Sequence, residues 1–236
     1  MAAQIDLILK RLRETSAFAS IKRNDYRTVL PADDLLAEAE AVGKFRTEDF
    51  VIDKGLQFAY TNVARWFVGD PAMLAMNPKT GMAERGDLNK GLYISGRTGC
   101  GKTWMMDIFT YLAREHVLRV DISGKSAIMN IRSCRADEIT SRFIQNADLG
   151  AYVGEPMMLI NDLGAEPKEV LYMGNRIDVL RQVLERRADD PSKLTFITSN
   201  FPMNADAIKE RYGERVFSRL SQMCNYIEIN GNDKRG

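Results

Sequence analysis

The stretch "GLYISGRTGCGKTW", Gly91 to Trp104, decides the fold. A short apolar run ends in a glycine-rich turn, and a helical pattern begins directly after it. Gly96, Gly101, Lys102 and Thr103 satisfy G-x-x-x-x-G-K-[ST] without a mismatch. The spacing has a mechanical reason. Glycines let the backbone turn so that successive N–H groups point at a phosphate chain, and the following helix adds its positive end. The lysine reaches the terminal phosphates, and the hydroxyl is offered to Mg²⁺. Gly96, Arg97, Thr98, Gly99, Cys100, Gly101, Lys102 and Thr103 are therefore the expected phosphate cradle. The bland alternative is a chance glycine turn, and the strand before it and helix after it weigh against that.

Downstream, strand-like and helical segments alternate. Tyr93 to Ser95 ends a strand and Lys102 to His116 is helical; "SAIMNIRS" is a strand and Ala136 to Asn146 a helix; "PMMLIND" is a strand and Asn175 to Arg187 a helix. "KLTFITSN" and "NYIEIN" are further strands on either side of a helical Ala205 to Met223. Strands separated by helix-length segments predict crossover connections, hence a parallel sheet flanked by helices: an α/β P-loop NTPase. Upstream, Lys54 to Phe67 carries Leu56, Ala59, Tyr60, Val63, Trp66 and Phe67 on one face and ends at "GDP", an amphipathic helix. From Ile5 to about Ala41, apolar residues again fall at helical spacing, broken by "SIKRNDYRTVLPADD" with a helix start at Pro31 and Asp33 or Asp34. Residues 1–49 are thus expected to form a small helical appendage, and residues 50–236 the main domain.

Composition sets the outer bounds. The 236 residues are 45% hydrophobic, enough for a buried core, and 33 basic against 32 acidic side chains give a formal charge of +1. That balance neither demands nor excludes nucleic acid, so such binding would be local. Cys100, Cys134 and Cys224 show no C-x-x-C spacing and His116 is the single histidine, so no zinc site is expected. Asp6, Lys10 and Arg11 interrupt the N-terminus where a signal peptide needs an apolar core; no membrane contact and a cytoplasmic location are expected.

A small-molecule kinase would place its acidic strand soon after the loop helix, whereas here a whole strand and helix intervene before "MMLIND". The acidic strand end and the polar "TSN" strand end fit an ATPase whose extra strand brings metal, water and γ-phosphate sensing together. "GLYISGRTGCGKT", "MMLINDLGAEP", "FITSNFP" and "RYGERVFSRLSQMC", in this order, resemble the AAA+ ATPases of the DnaC type, loaders of the replicative DNA helicase, and their IstB-like transposition-helper relatives. The likeness runs from about Phe50 to the C-terminus. It implies ATP and Mg²⁺ as cofactors, single-stranded DNA and a replicative helicase as partners, and head-to-tail self-association on ATP. It places Asn200 at the sensor position that orients the attacking water. Arg219 matches the arginine finger inserted into a neighbouring subunit, with Arg215 as second candidate and Arg235 at a second sensor position.

The family's acidic strand ends in two acids, and this chain has Asn161-Asp162. An amide at the first position brings no charge to a metal. Either Asp162 holds Mg²⁺ with Thr103 and the base is missing, or Asp162 is the base and the metal is held weakly; both imply slow turnover with nucleotide binding retained. Glu166 is a substitute acid or, more simply, a solvated loop carboxylate. Arg132, Arg135 and Arg142 with Phe143 and Tyr152 are a candidate single-strand surface, offset by Asp137, Glu138 and Asp148. The methionines at 105, 106, 157 and 158 are read as core filler. A transposition helper acting on duplex DNA and a nucleotide-gated adaptor with little hydrolysis remain open beside the helicase loader.

Overall fold

A computed structural model describes residues 21–231. The N-terminal helical segment expected around Ile5 to Leu12, and Arg235, lie outside the described residues. In chain order the elements are β1 (Ile21–Arg23), α1 (Ala32–Arg46), α2 (Lys54–Phe67), β2 (Leu74–Met76), β3 (Ala83–Arg85), β4 (Gly91–Gly96), α3 (Lys102–Glu115), β5 (Arg119–Ile122), β6 (Lys125–Ile128) and β7 (Arg132–Arg135). They continue as α4 (Ala136–Asn146), α5 (Gly150–Val153), β8 (Met157–Leu163), β9 (Val170–Tyr172), β10 (Asn175–Ile177), α6 (Val179–Ala188), β11 (Leu194–Ser199), α7 (Asp206–Met223) and β12 (Cys224–Ile229).

The main sheet runs β3-β2-β12-β4-β11-β8-β7, and its β12-β4-β11-β8-β7 portion is parallel. Thus β11 is inserted between the phosphate-loop strand β4 and the acidic strand β8, which brings the ends of all three side by side. β2 joins β12 antiparallel and carries β3 at the edge. Alternation of side chains along the strands divides the core in two. Leu92, Ile94, Leu159, Phe196 and Ile227 face α1, α2 and α3, while Tyr93, Met158, Ile160, Ile197 and Tyr226 face α4, α6 and α7. Met105, Met106, Met157 and Met158 are all buried in these layers.

Asp53 caps α2 by accepting from the Gly55 and Leu56 N–H groups, and the buried face Leu56, Ala59, Tyr60, Val63, Trp66 and Phe67 is the one its periodicity marked. α1 packs on α2 and α3, with Leu35 and Ala39 fully buried in the same core.

Two segments differ from expectation. "SAIMNIRS" is not one strand: β6 pairs antiparallel with β5, which pairs with β1, in a separate three-stranded sheet, and only β7 joins the main sheet. The helix expected from Asn175 begins at Val179, because Asn175–Ile177 turns back on β9 through Met173 (φ 49°) and Gly174 (φ 81°) and Asp178 then caps α6.

Candidate nucleotide-binding site

The phosphate loop joins the end of β4 to α3. Its turn requires glycine where the backbone enters the left-handed region, at Gly99 (φ 83°) and at Gly101 (φ 89°), the N-cap of α3. Lys102 is only 5% exposed. Its ammonium donates to the Gly96 carbonyl at 2.8 Å, the Arg97 carbonyl at 2.9 Å and Asn200 Oδ1 at 2.8 Å. The loop lysine and the residue just past β11 are therefore in direct contact, as the inserted strand dictates. Above them lies a cavity of about 480 Å³ lined by Thr98, Gly99, Gly101, Lys102, Thr103, Trp104, Arg135, Asp162, Ala165 and Asn200. The backbone donors, helix start and lysine fit a polyphosphate.

Trp104 lines this cavity with an indole N–H that is buried and bonded to nothing. Its ring meets Phe50 at 5.3 Å, and the Arg46 guanidinium lies 5.4 Å from its centroid.

The two acidic-strand residues part company. Asn161 is 4% exposed and does not line the cavity. Its amide donates to Ser133 Oγ on β7 at 2.8 Å and accepts from Thr198 Oγ1 on β11 at 3.0 Å, so both ends are spent tying three strands together. Asn161, named from the sequence as a site residue, is in the structure an internal clamp of the sheet. Asp162 does face the cavity. Its backbone sits at φ 56°, a conformation aspartate tolerates, and its N–H donates to Thr198 Oγ1 at 3.0 Å. That twist breaks strand alternation, so Leu163 packs with Met158 and Ile160 rather than with Leu159. Thr103 and Asp162 make a hydroxyl and one carboxylate, a donor set that suits Mg²⁺ shared with nucleotide phosphates. Asp162 Oδ2, however, already lies 3.2 Å from the Arg135 guanidinium.

Arg135 was grouped by sequence with a DNA surface. The structure puts it at the end of β7, opposite Asn161 in register and lining the cavity. Its expected aromatic companions, Phe143 and Tyr152, are 7% and 3% exposed, so neither presents a face on which a base could stack. Arg142 pairs with Glu138 on its own helix, and Arg132 lies 3.8 Å from Glu155.

Glu166 is neither a substitute acid nor a solvated one. Its side chain is fully buried and accepts from the Gly164 N–H at 2.9 Å, the Arg211 guanidinium at 2.7 Å and the Tyr212 hydroxyl at 2.6 Å. Burial, with the Glu166 carboxylate second, pushes the Tyr212 hydroxyl well above its ordinary range. This cluster bolts the loop after β8 onto α7 just before its kink at Gly213 (φ 85°). Beyond the kink stand Arg215 and Arg219. Neither lines the cavity, and both meet α6 or the residue capping it: Arg219 reaches Asp189 at 2.7 Å, and Arg215 lies 3.9 Å from Glu185.

No protein-family model and no curated protein matches the chain. Solved structures do. A primosome component from Streptococcus pyogenes serotype M3 superposes with a TM-score of 0.53 at 18% identity, covering 80% of this chain and 87% of that one. The DnaC helicase loader superposes with a TM-score of 0.52 at 20% identity, covering 78% and 94%. The chain shares its fold with the DnaC helicase loader. In that fold, the strand order with β11 between β4 and β8 is what sets Lys102, Asp162 and Asn200 around one cavity.

Proposed function

We propose that the chain is an ATP-binding, DnaC-like loader of a replicative helicase, acting on single-stranded DNA during replication. The observation that carries the reading is the contact of Lys102 with Asn200 beside Asp162, within a fold shared with the helicase loader. The residues of the phosphate loop bind the polyphosphate, and Thr103 with Asp162 would hold Mg²⁺ for hydrolysis, where it would neutralise charge on the transferring phosphoryl group. Asn200 orients the attacking water. Arg219, with Arg215 on the same helix, acts on the site of the next copy in a head-to-tail assembly, and breaking its pair with Asp189 is part of assembly. Residues 1–49 are the partner-specific part. With one carboxylate facing the cavity and that one paired to Arg135, hydrolysis is slow and times release.

The slow, nucleotide-gated adaptor is favoured as second reading by the same Arg135–Asp162 pair. Light scattering of the purified chain with and without ATP, alongside hydrolysis with no DNA, single-stranded DNA or duplex, tests the proposal. ATP-dependent association with stimulation by single strands supports it. Stimulation by duplex alone favours the transposition helper, association without turnover the adaptor, and a monomer with turnover indifferent to DNA contradicts it.

A further inference from the structure

Charge around the cavity departs from what a metal-dependent triphosphate site needs. Lys102 and Arg135 are its two cations and Asp162 its one anion, a formal +1 among the lining residues before any ligand arrives. Asn161, at the place where the resembling family carries an acid, is neutral and turned into the sheet. Arg135 is not a passing surface cation. It ends β7 opposite Asn161 in register, its guanidinium meets Asp162 at 3.2 Å, and Asp137 at the start of α4 holds the same guanidinium through Nε at 3.0 Å. Divalent metal and guanidinium therefore compete for the same carboxylate.

We propose that Arg135 is a resident counter-ion of the phosphate site, so that this chain binds a nucleoside triphosphate without a divalent cation. The inference rests on the nucleotide-binding reading above and separates binding, which needs no metal, from hydrolysis, for which Thr103 and Asp162 would hold Mg²⁺. A triphosphate carries about four negative charges at neutral pH, and a divalent ion ordinarily cancels two of them before an acid-rich site accepts it. Here the site brings a second fixed positive charge, and of the two carboxylates on that guanidinium only Asp162 lines the cavity. Charge-assisted hydrogen bonds from a guanidinium to phosphate are strong and independent of metal. Asp162 then orients Arg135 toward the ligand rather than serving first as a metal ligand.

The test is equilibrium binding of a fluorescent ATP analogue to the full chain, in Mg²⁺ and in EDTA, for the natural protein, Arg135→Gln, Arg135→Lys and Lys102→Ala. The Arg135 side chain is 57% exposed, so these changes leave the core alone. In the natural chain, EDTA is expected to change the dissociation constant by less than about threefold. In Arg135→Gln the same change weakens binding by about tenfold or more, the worth of one charged hydrogen bond. Arg135→Lys recovers most of the difference. Metal-dependent binding in the natural chain, with Arg135→Gln unchanged, overturns the proposal and leaves the nucleotide reading intact. Binding that is absent in both buffers, or equal in Lys102→Ala, overturns the nucleotide reading and this inference with it.

Discussion

Replacing Asn161 by aspartate restores the family's two acids on paper, and the structure predicts that it damages the protein instead of activating it. The Asn161 amide donates to Ser133 and accepts from Thr198 at 4% exposure, inside a sheet packed on both faces. An aspartate there has two costs to choose between. Ionised, it loses the donor to Ser133, worth about 1 kcal/mol, and buries a charge besides. Protonated, it is held neutral at pH 7 against a solution value near 3.9, which costs up to about 4 kcal/mol. A net loss of about 3 kcal/mol lowers Tm by about 6–12 °C for a chain of this size. The sign with pH follows from linkage. A carboxyl whose pKa is raised by folding binds more protons folded than unfolded, so the deficit is full above the folded value and fades as pH falls toward about 4. Thermal unfolding of both proteins between pH 4 and 8, with Mg·ATP hydrolysis at pH 7, measures this. An unchanged Tm with raised turnover would refute the placement of Asn161 inside the sheet.

Further predictions follow from buried polar groups and the cavity wall. Glu166→Ala leaves Arg211 and Tyr212 without their buried carboxylate and is expected to cost about 3–5 kcal/mol by urea unfolding; a loss under 1 kcal/mol contradicts the cluster. Arg187 is 1% exposed and donates to Thr195 Oγ1 and to the carbonyls of Tyr152, Glu155 and Leu194, with burial lowering its pKa to about 10. Arg187→Met strands those acceptors and should cost about 3 kcal/mol, read from the same unfolding curves. Trp104 lines the cavity with a free indole N–H, whereas Trp66 is fully buried and bonded to the Lys90 carbonyl at 2.8 Å. A saturable fluorescence change on adding ATP should therefore vanish in Trp104→Phe, and a change that persists there places the ligand elsewhere.

How far the sequence could be read depended on the range of the interaction. The phosphate loop, α2 and α4 follow from local spacing, and the bounds of α2 and α4 were read to the residue. The position of β11 was legible only through the functional logic of an extra strand. The β5–β6 hairpin carried a turn signal, Ser123-Gly124 at φ 54° and 80°, but the apolar run behind it masked the break. Periodicity could not say that Ile177 ends a strand, because one apolar residue suits either state. Asn161 and Asp162 are adjacent and look alike in sequence; only the left-handed backbone at Asp162 and the hydroxyls of Ser133 and Thr198 separate a cavity residue from a clamp. Glu166 became an anchor through Arg211 and Tyr212, over forty residues away, and Arg135 reached the site through parallel pairing of β7 with β8.

The central claim is an ATP site completed by a second copy of the chain, and a mixing experiment tests it most directly. Asp162→Asn removes the cavity's carboxylate and Arg219→Ala removes the proposed finger, so each alone should be inactive while still folded and still able to bind nucleotide. Mixed in equal amounts, random head-to-tail neighbours bring an intact site to an intact finger at about one interface in four, and hydrolysis should return to about a quarter of the natural level. A mixture as inactive as its components, or Arg219→Ala alone hydrolysing ATP at the natural rate, would contradict the account.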